Sequence, residues 1–192
     1  ISDYLQTAPT NDNPTLYHMF GIPSAGKTTF YSSHHWPQHV LVSFDAIRED
    51  LPAYQEDVKK TDPVTAFQKW ELTARIIGYE LLRQAVQERK NIFFDHGGSF
   101  PAHLDLLKNL HHLGYNIEVC YIYCDMNEAL KRAKEREKQT HRHTPPQMIQ
   151  HRNEMIAKLI DEYKKAADVF YAYNSTSDGF IFNKALSSAP QP

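Results

Sequence analysis

Apolar positions in this chain fall into two patterns: short continuous runs, and longer stretches where they recur every three or four residues. Continuous short runs mark strands buried on both faces, as in parallel sheets. Thr15-Leu16-Tyr17-His18-Met19-Phe20 reads as the first strand, Gln38-His39-Val40-Leu41-Val42-Ser43-Phe44 as the second and Asn91-Ile92-Phe93-Phe94-Asp95 as the third. A fourth spans about Asn116 to Tyr123, and Asp178-Gly179-Phe180-Ile181-Phe182 is the candidate last strand. From about Val64 to Arg89, Phe67, Trp70, Ala74, Ile77, Leu81 and Ala85 keep helical spacing, a stripe that packs on the sheet. Leu104, Leu107, Leu110 and Leu113 mark a further helix, which Gly114 closes in a left-handed cap. Asp125 with Glu128 predicts a capping box opening a helix that carries Lys131, Arg132, Lys134, Arg136 and Lys138. Thr144-Pro145-Pro146-Gln147 predicts another box, with proline at the first helical position. Its helix is expected to run to about Phe170, with Met155, Leu159, Tyr163 and Phe170 inward.

Strands alternating with helices predict an α/β domain with a parallel sheet of about five strands flanked by helices. With 192 residues, 41% of them apolar, the chain is one domain with enough material for a full core. Residues 1–14 are expected to form an irregular arm, 15–183 the domain and 184–192 a flexible tail rich in Ser, Ala and Pro. Lys and Arg total 21 against 23 Asp and Glu, with no long block of one sign, so nucleic acid is not expected as a partner. Cys120 and Cys124 lie on one strand about 13 Å apart, beyond the roughly 7 Å a disulfide spans, and read as reduced thiols. No run is long and apolar enough to span a membrane, and no charged-then-apolar signal opens the chain. A cytoplasmic location is the expectation.

The stretch Gly21-Ile22-Pro23-Ser24-Ala25-Gly26-Lys27-Thr28 fits the phosphate-loop pattern G-x-x-x-x-G-K-[ST] between a strand and a helix. Glycines let backbone N–H groups wrap a phosphate chain, and the helix that follows offers its own unpaired N–H groups. Gly21, Ser24, Ala25, Gly26, Lys27, Thr28 and Thr29 are therefore candidate ATP ligands, with the Thr28 hydroxyl on a magnesium ion (Mg2+). These residues point to a nucleotide-dependent phosphotransferase.

In a doubly wound sheet, residues at the carboxyl ends of strands converge on one crevice. Asp45 follows the second strand and can accept the proton of an acceptor hydroxyl; the competing role is a helix N-cap. Arg48, one turn on, can orient Asp45, touch a substrate phosphate or form an ordinary ion pair. Asp95 can hold magnesium through water or bind substrate, and Ser99 lies in the same loop. Arg132, Arg136 and Arg142 suit a helical lid that closes over the transferring phosphoryl group, with a solvated helix face as the ordinary alternative. His141 and His143 flank Arg142 and read as lid residues rather than metal ligands.

The chain resembles the zeta toxin family, phosphate-loop kinases of bacterial toxin–antitoxin systems that phosphorylate the sugar 3′-hydroxyl of UDP-N-acetylglucosamine. The resemblance runs from about Leu16 to Asn183. It rests on the phosphate loop, on Phe44-Asp45 with a basic residue at 48 and Leu51-Pro52-Ala53-Tyr54 after it, and on the strand ending at Asp95. Gly114-Tyr115, Arg142-His143-Thr144-Pro145-Pro146-Gln147 and Tyr173-Asn174 continue the match in order. The resemblance implies a P-loop NTPase fold and ATP with Mg2+ as cofactors. It also implies Asp45 as base, Arg142 with Arg132 or Arg136 on phosphates, Asp95 on a sugar-nucleotide acceptor, and an antitoxin as possible partner. The chain departs from the family where Glu-Gly-Thr after the third strand is replaced by Asp95-His96-Gly97, which removes a hydroxyl and opens the question of a different acceptor. Kinases of nucleosides, dinucleotides or antibiotics share this broad shape, and three rival readings remain, one of them a degenerate domain that binds nucleotide or a partner but no longer transfers phosphate. Asp95-His96-Gly97-Gly98 fits the D-x-x-G of a GTP-driven switch, although the N-K-x-D guanine motif is missing. A polynucleotide kinase would share the loop and Asp45-x-x-Arg48 but need a basic channel.

Overall fold

A computed structural model describes residues 1–140 and 144–190. Six strands form one sheet: β1 (Thr15–Phe20), β2 (Val40–Ser43), β3 (Ile92–Asp95), β4 (Asn116–Tyr123), β5 (Val169–Thr176) and β6 (Gly179–Phe182). Their spatial order is β2-β3-β1-β4-β5-β6; all neighbours are parallel except β5 and β6. The helices are α1 (Ser2–Leu5), α2 (Lys27–Ser33), α3 (Phe44–Asp50), α4 (Pro52–Lys60), α5 (Pro63–Gln87), α6 (Pro101–His112), α7 (Met126–Thr140) and α8 (Pro146–Ala166). The central strands are apolar because both faces are covered, and Leu16, Val40, Val42, Phe93, Phe94, Ile117 and Val119 are fully buried.

The sheet has six strands rather than the five expected: β5 begins on Val169 and Phe170, read as the end of the last helix, and continues through six residues assigned to no element. Phe170 fits helical spacing from Tyr163, yet α8 stops at Ala166, and Ala167 turns to extended backbone (φ −93°, ψ 140°). Asp168 N–H then donates to the Ile117 carbonyl at 2.8 Å, and Ile117 N–H returns a bond to Asp168 Oδ2 at 2.7 Å, which starts the ladder with β4. The run Val-Phe-Tyr-Ala-Tyr is rich in aromatic residues suited to a pleated surface, and alternate members of it are buried. β2 is also shorter than expected, since Phe44 opens α3 with Ser43 as its cap.

The helix caps divide. α6 ends as expected: Gly114 adopts φ 82°, its N–H donates to His111 O and Tyr115 N–H donates to Leu110 O. Asp125 accepts from the N–H groups of Asn127 and Glu128, but Glu128 turns to Arg132 instead of closing the box. Thr144 caps nothing; the N-cap of α8 is Pro145, and Thr144 Oγ1 accepts from Arg136.

Both ends of the chain pack more closely than their composition suggests. The expected irregular arm carries α1, buries Leu5 and Ala8, and bridges Thr10 to Lys90, whose ammonium donates to Ala8 O. In the expected flexible tail, Ser188 N–H donates to Phe170 O, and the Ser188 and Ser187 hydroxyls accept from Phe170 and Ala172 N–H. These bonds extend the cover that β6 gives the outer edge of β5. Cys120 and Cys124 are buried and unbonded to one another.

Candidate active site

Register brings the candidate residues together. Met19 pairs with Asp95, and Asp95 with Ser43, so β1, β3 and β2 end in one row. The phosphate loop leaves that row two residues after Met19, and Asp45 stands two residues after Ser43. A cavity of about 750 Å³ opens above these ends, lined on one side by Ser24, Gly26, Lys27, Thr28 and Thr29 and on the other by Asp45, Arg48 and Asp95. Arg132, Arg136 and Ser175 line it as well.

The loop's shape follows from its small residues. A side chain at Gly21 would collide with the Ile122 carbonyl oxygen on β4, so only glycine lets the loop leave β1 at that point. Ser24 takes a left-handed conformation (φ 64°), and Gly26 does the same (φ 93°) as N-cap of α2. A Cβ on Gly26 would lie 3.3 Å from Ser175 Oγ and from the Phe180 ring, which seats the loop against β5 and β6. Ala25 is buried and its N–H donates to Ile22 O. The Lys27 ammonium donates to Gly21 O at 3.0 Å and Ile22 O at 3.2 Å, crossing the loop it belongs to. Ser24 Oγ is buried with no hydrogen-bond partner among the described residues, an orphan hydroxyl inside the cradle.

Asp45 is not the cap of α3; Ser43 holds that position and Asp45 sits in the first turn. Its Oδ1 accepts from Arg48 Nη2 at 2.7 Å, and its side chain remains 43% exposed toward the cavity. Arg48, in contrast, is only 2% exposed. Its guanidinium lies 3.7 Å from the Phe67 ring centroid and 5.7 Å from that of Tyr54. The arginine expected to meet substrate is thus committed to Asp45 and clamped by aromatic rings. Ser43 Oγ donates to Asp95 Oδ2 at 3.4 Å. Ser99 is buried and is not one of the residues lining the cavity.

On α7, Arg132 is fixed by three acceptors: Glu128 Oε1 at 2.9 Å, Ser175 Oγ at 2.7 Å and Thr176 O at 2.8 Å. Arg136 donates to Thr144 across the opening between α7 and α8. Arg142, with His141 and His143, lies outside the described residues.

Several lining residues were not among the candidate site residues, although the sequence had marked His96 and Gly97 as a departure from the family pattern. Glu71 and Arg75 come from α5, Met148 and Arg152 from α8, and His96 with Gly97 from the loop after β3. Beneath them, His18, His96 and His103 are buried among aromatic rings. Burial pushes His18 down to about 3 and His103 to about 4. His96 is pushed further still, by burial first, then by His103 and His18, then by Arg75 and Arg152. All three are neutral at pH 7. Their positions could not have been read from spacing, because each contact crosses between elements.

The zeta toxin family model matches residues 1–185. No curated protein sequence matches the chain. Among solved structures, one of the PezAT chromosomal toxin–antitoxin system of Streptococcus pneumoniae superimposes with a TM-score of 0.68 at 16% identity, covering 90% of this chain and 72% of that one. An AvrRxo1-ORF1:-ORF2 complex with ATP gives 0.62 at 13% identity, covering 94% and 60%. A Pnkp1/Rnl/Hen1 RNA repair complex gives 0.50 at 20% identity, covering 95% and 54%. The chain thus spans about three-fifths or less of the last two. With the family model matched over nearly its whole length and the phosphate loop in place, the chain belongs to the zeta toxin family and is a P-loop kinase.

Proposed function

We propose that the protein transfers the γ-phosphate of ATP to a hydroxyl of a small nucleotide-containing acceptor such as UDP-N-acetylglucosamine. The observation that carries this reading is the meeting of the Lys27 loop and the Asp45 carboxylate across one cavity. Lys27 and the loop N–H groups hold the donor phosphates, with Arg132 and Arg136 facing them from α7 and Arg142 as a further lid residue. Asp45 accepts the proton as the acceptor oxygen bonds to phosphorus and the bond to the ADP oxygen breaks. Arg48 holds Asp45 in place, and Asp95 binds the acceptor or, through water, the metal. The donors present suit Mg2+: the Thr28 hydroxyl and the Asp95 carboxylate both line the cavity and would offer it oxygen. When bound, the ion neutralises charge on the transferred group.

No helix among the described residues is long and apolar enough to cross a membrane. A cytoplasmic location and an antitoxin that masks the cavity complete the proposal. Incubation with Mg2+ and γ-labelled ATP against sugar nucleotides, dinucleotides and oligonucleotides tests it. Label is expected on small nucleotide-containing alcohols. Label on oligonucleotide ends would favour a polynucleotide kinase, and label released only to water would sink the transfer reading.

A further inference from the structure

Two arginines outside the donor and base roles above also line the cavity. Arg75 reaches it from α5 and Arg152 from α8, and both line it together with His96 and Gly97. The Phe44 ring lies between two of them, 5.4 Å from the Arg75 guanidinium and 5.6 Å from the His96 ring. Gly97 gives Arg152 its place: a Cβ there would come within 3.3 Å of Arg152 Nη1. Arg75 donates through Nε and Nη2 to Glu71 Oε1, at 3.2 and 2.8 Å, which leaves Nη1 outside that pair. His96 is buried, and its Nδ1 has no hydrogen-bond partner among the described residues. Burial and the two guanidinium groups keep the ring uncharged, so it offers a neutral N–H or lone pair.

Guanidinium forks match phosphate oxygens in shape and charge, and two of them with an imidazole form a convergent donor set. Resting on the kinase reading above, we propose that Arg75, His96 and Arg152 form a subsite for a phosphate group that the acceptor already carries, separate from the phosphoryl group being transferred. Where the family pattern has Glu-Gly-Thr, this chain has Asp95-His96-Gly97. The threonine hydroxyl is replaced by bare backbone, and the guanidinium of Arg152 rests against it.

The test measures initial rates with N-acetylglucosamine, its 1-phosphate and its uridine diphosphate conjugate, and with glucuronic acid as a carboxylate-bearing arm. Phosphate-bearing acceptors are expected to show kcat/KM about tenfold or more above the neutral sugar, the scale of one charge-assisted contact. Arg152→Ala and Arg75→Ala should each raise the acceptor KM about ten- to a hundredfold while the KM for ATP stays within about twofold, and Arg152→Lys should recover part of the loss. Equal use of the neutral sugar, preference for the carboxylate, or a rise in the KM for ATP instead would overturn the subsite. If no acceptor is labelled in any arm, the ADP-saturated protein is titrated with inorganic pyrophosphate by calorimetry. Binding weakened about tenfold by Arg152→Ala would keep the subsite while the transfer reading falls. No binding, or binding indifferent to both substitutions, would remove the subsite.

Discussion

On the function proposed above, the cavity has a donor half and an acceptor half, and the two are built by different means. The donor half is mostly backbone: one contiguous stretch from Gly21 to Thr29, bent by glycines and seated against Ile122, Ser175 and Phe180. The acceptor half is side chains: Asp45 and Arg48 from α3, Arg75 from α5, His96 after β3 and Arg152 from α8. A backbone cradle reads phosphate, which every nucleotide donor shares, and tolerates little change. A wall of side chains from four places can be altered one residue at a time, so the identity of the acceptor is free to drift while the donor stays fixed.

The comparison makes graded predictions. Lys27→Ala should abolish ATP binding and turnover together, checked by nucleotide titration and labelled transfer; retained ATP affinity would show that the loop does not depend on its cation. Asp45→Asn should keep ATP binding but slow transfer by roughly two to four orders of magnitude, as expected of a lost general base. Near-normal turnover by that variant would take Asp45 out of the chemistry. Gly78 on α5 packs against Phe44, where a Cβ would stand 2.5 Å from the ring. Gly78→Ala should therefore cost about 1–3 kcal/mol of stability by overpacking, and raise the acceptor KM more than the KM for ATP. A urea titration and paired kinetics would show whether the two halves respond separately.

The smallest effect is acid lability under the acceptor half. His18 and His103 bind protons only near pH 3 and 4 when folded, against about 6.5 when unfolded, so the unfolded chain takes up more protons as pH falls. Their contribution to stability is present above pH 6.5 and is lost progressively as pH falls from there toward 4 and 3. Urea midpoints at pH 7.5 and 5 should differ accordingly, and His103→Phe should flatten the difference. An unchanged slope would mean these rings are not buried as described.

The donor half was legible because its signal is local: a fixed spacing between a buried run and a helix names nearly every residue. Arg132 was visible only as part of a basic run. Its anchors, Ser175 and Thr176, were hidden because Phe170 satisfies helical spacing as well as strand alternation, so the start of β5 was read as helix and the rest of it as no element. Arg48 was identified as a candidate, but its burial between Phe67 and Tyr54 depends on how α3, α4 and α5 pack. Arg75 and Arg152 left no trace, since each is one charged residue on a long helix and its position over the cavity is set by the rotation of that helix.

Lys27 offers one more lesson. Its ammonium donates to two carbonyl oxygens of its own loop, Gly21 O and Ile22 O. An ammonium carries three N–H donors, so it can keep hold of the loop carbonyls while it meets a phosphate oxygen. The same cation thus ties the first turn of the loop together and presents charge to a phosphate, so Lys27→Ala should loosen the loop as well as weaken binding.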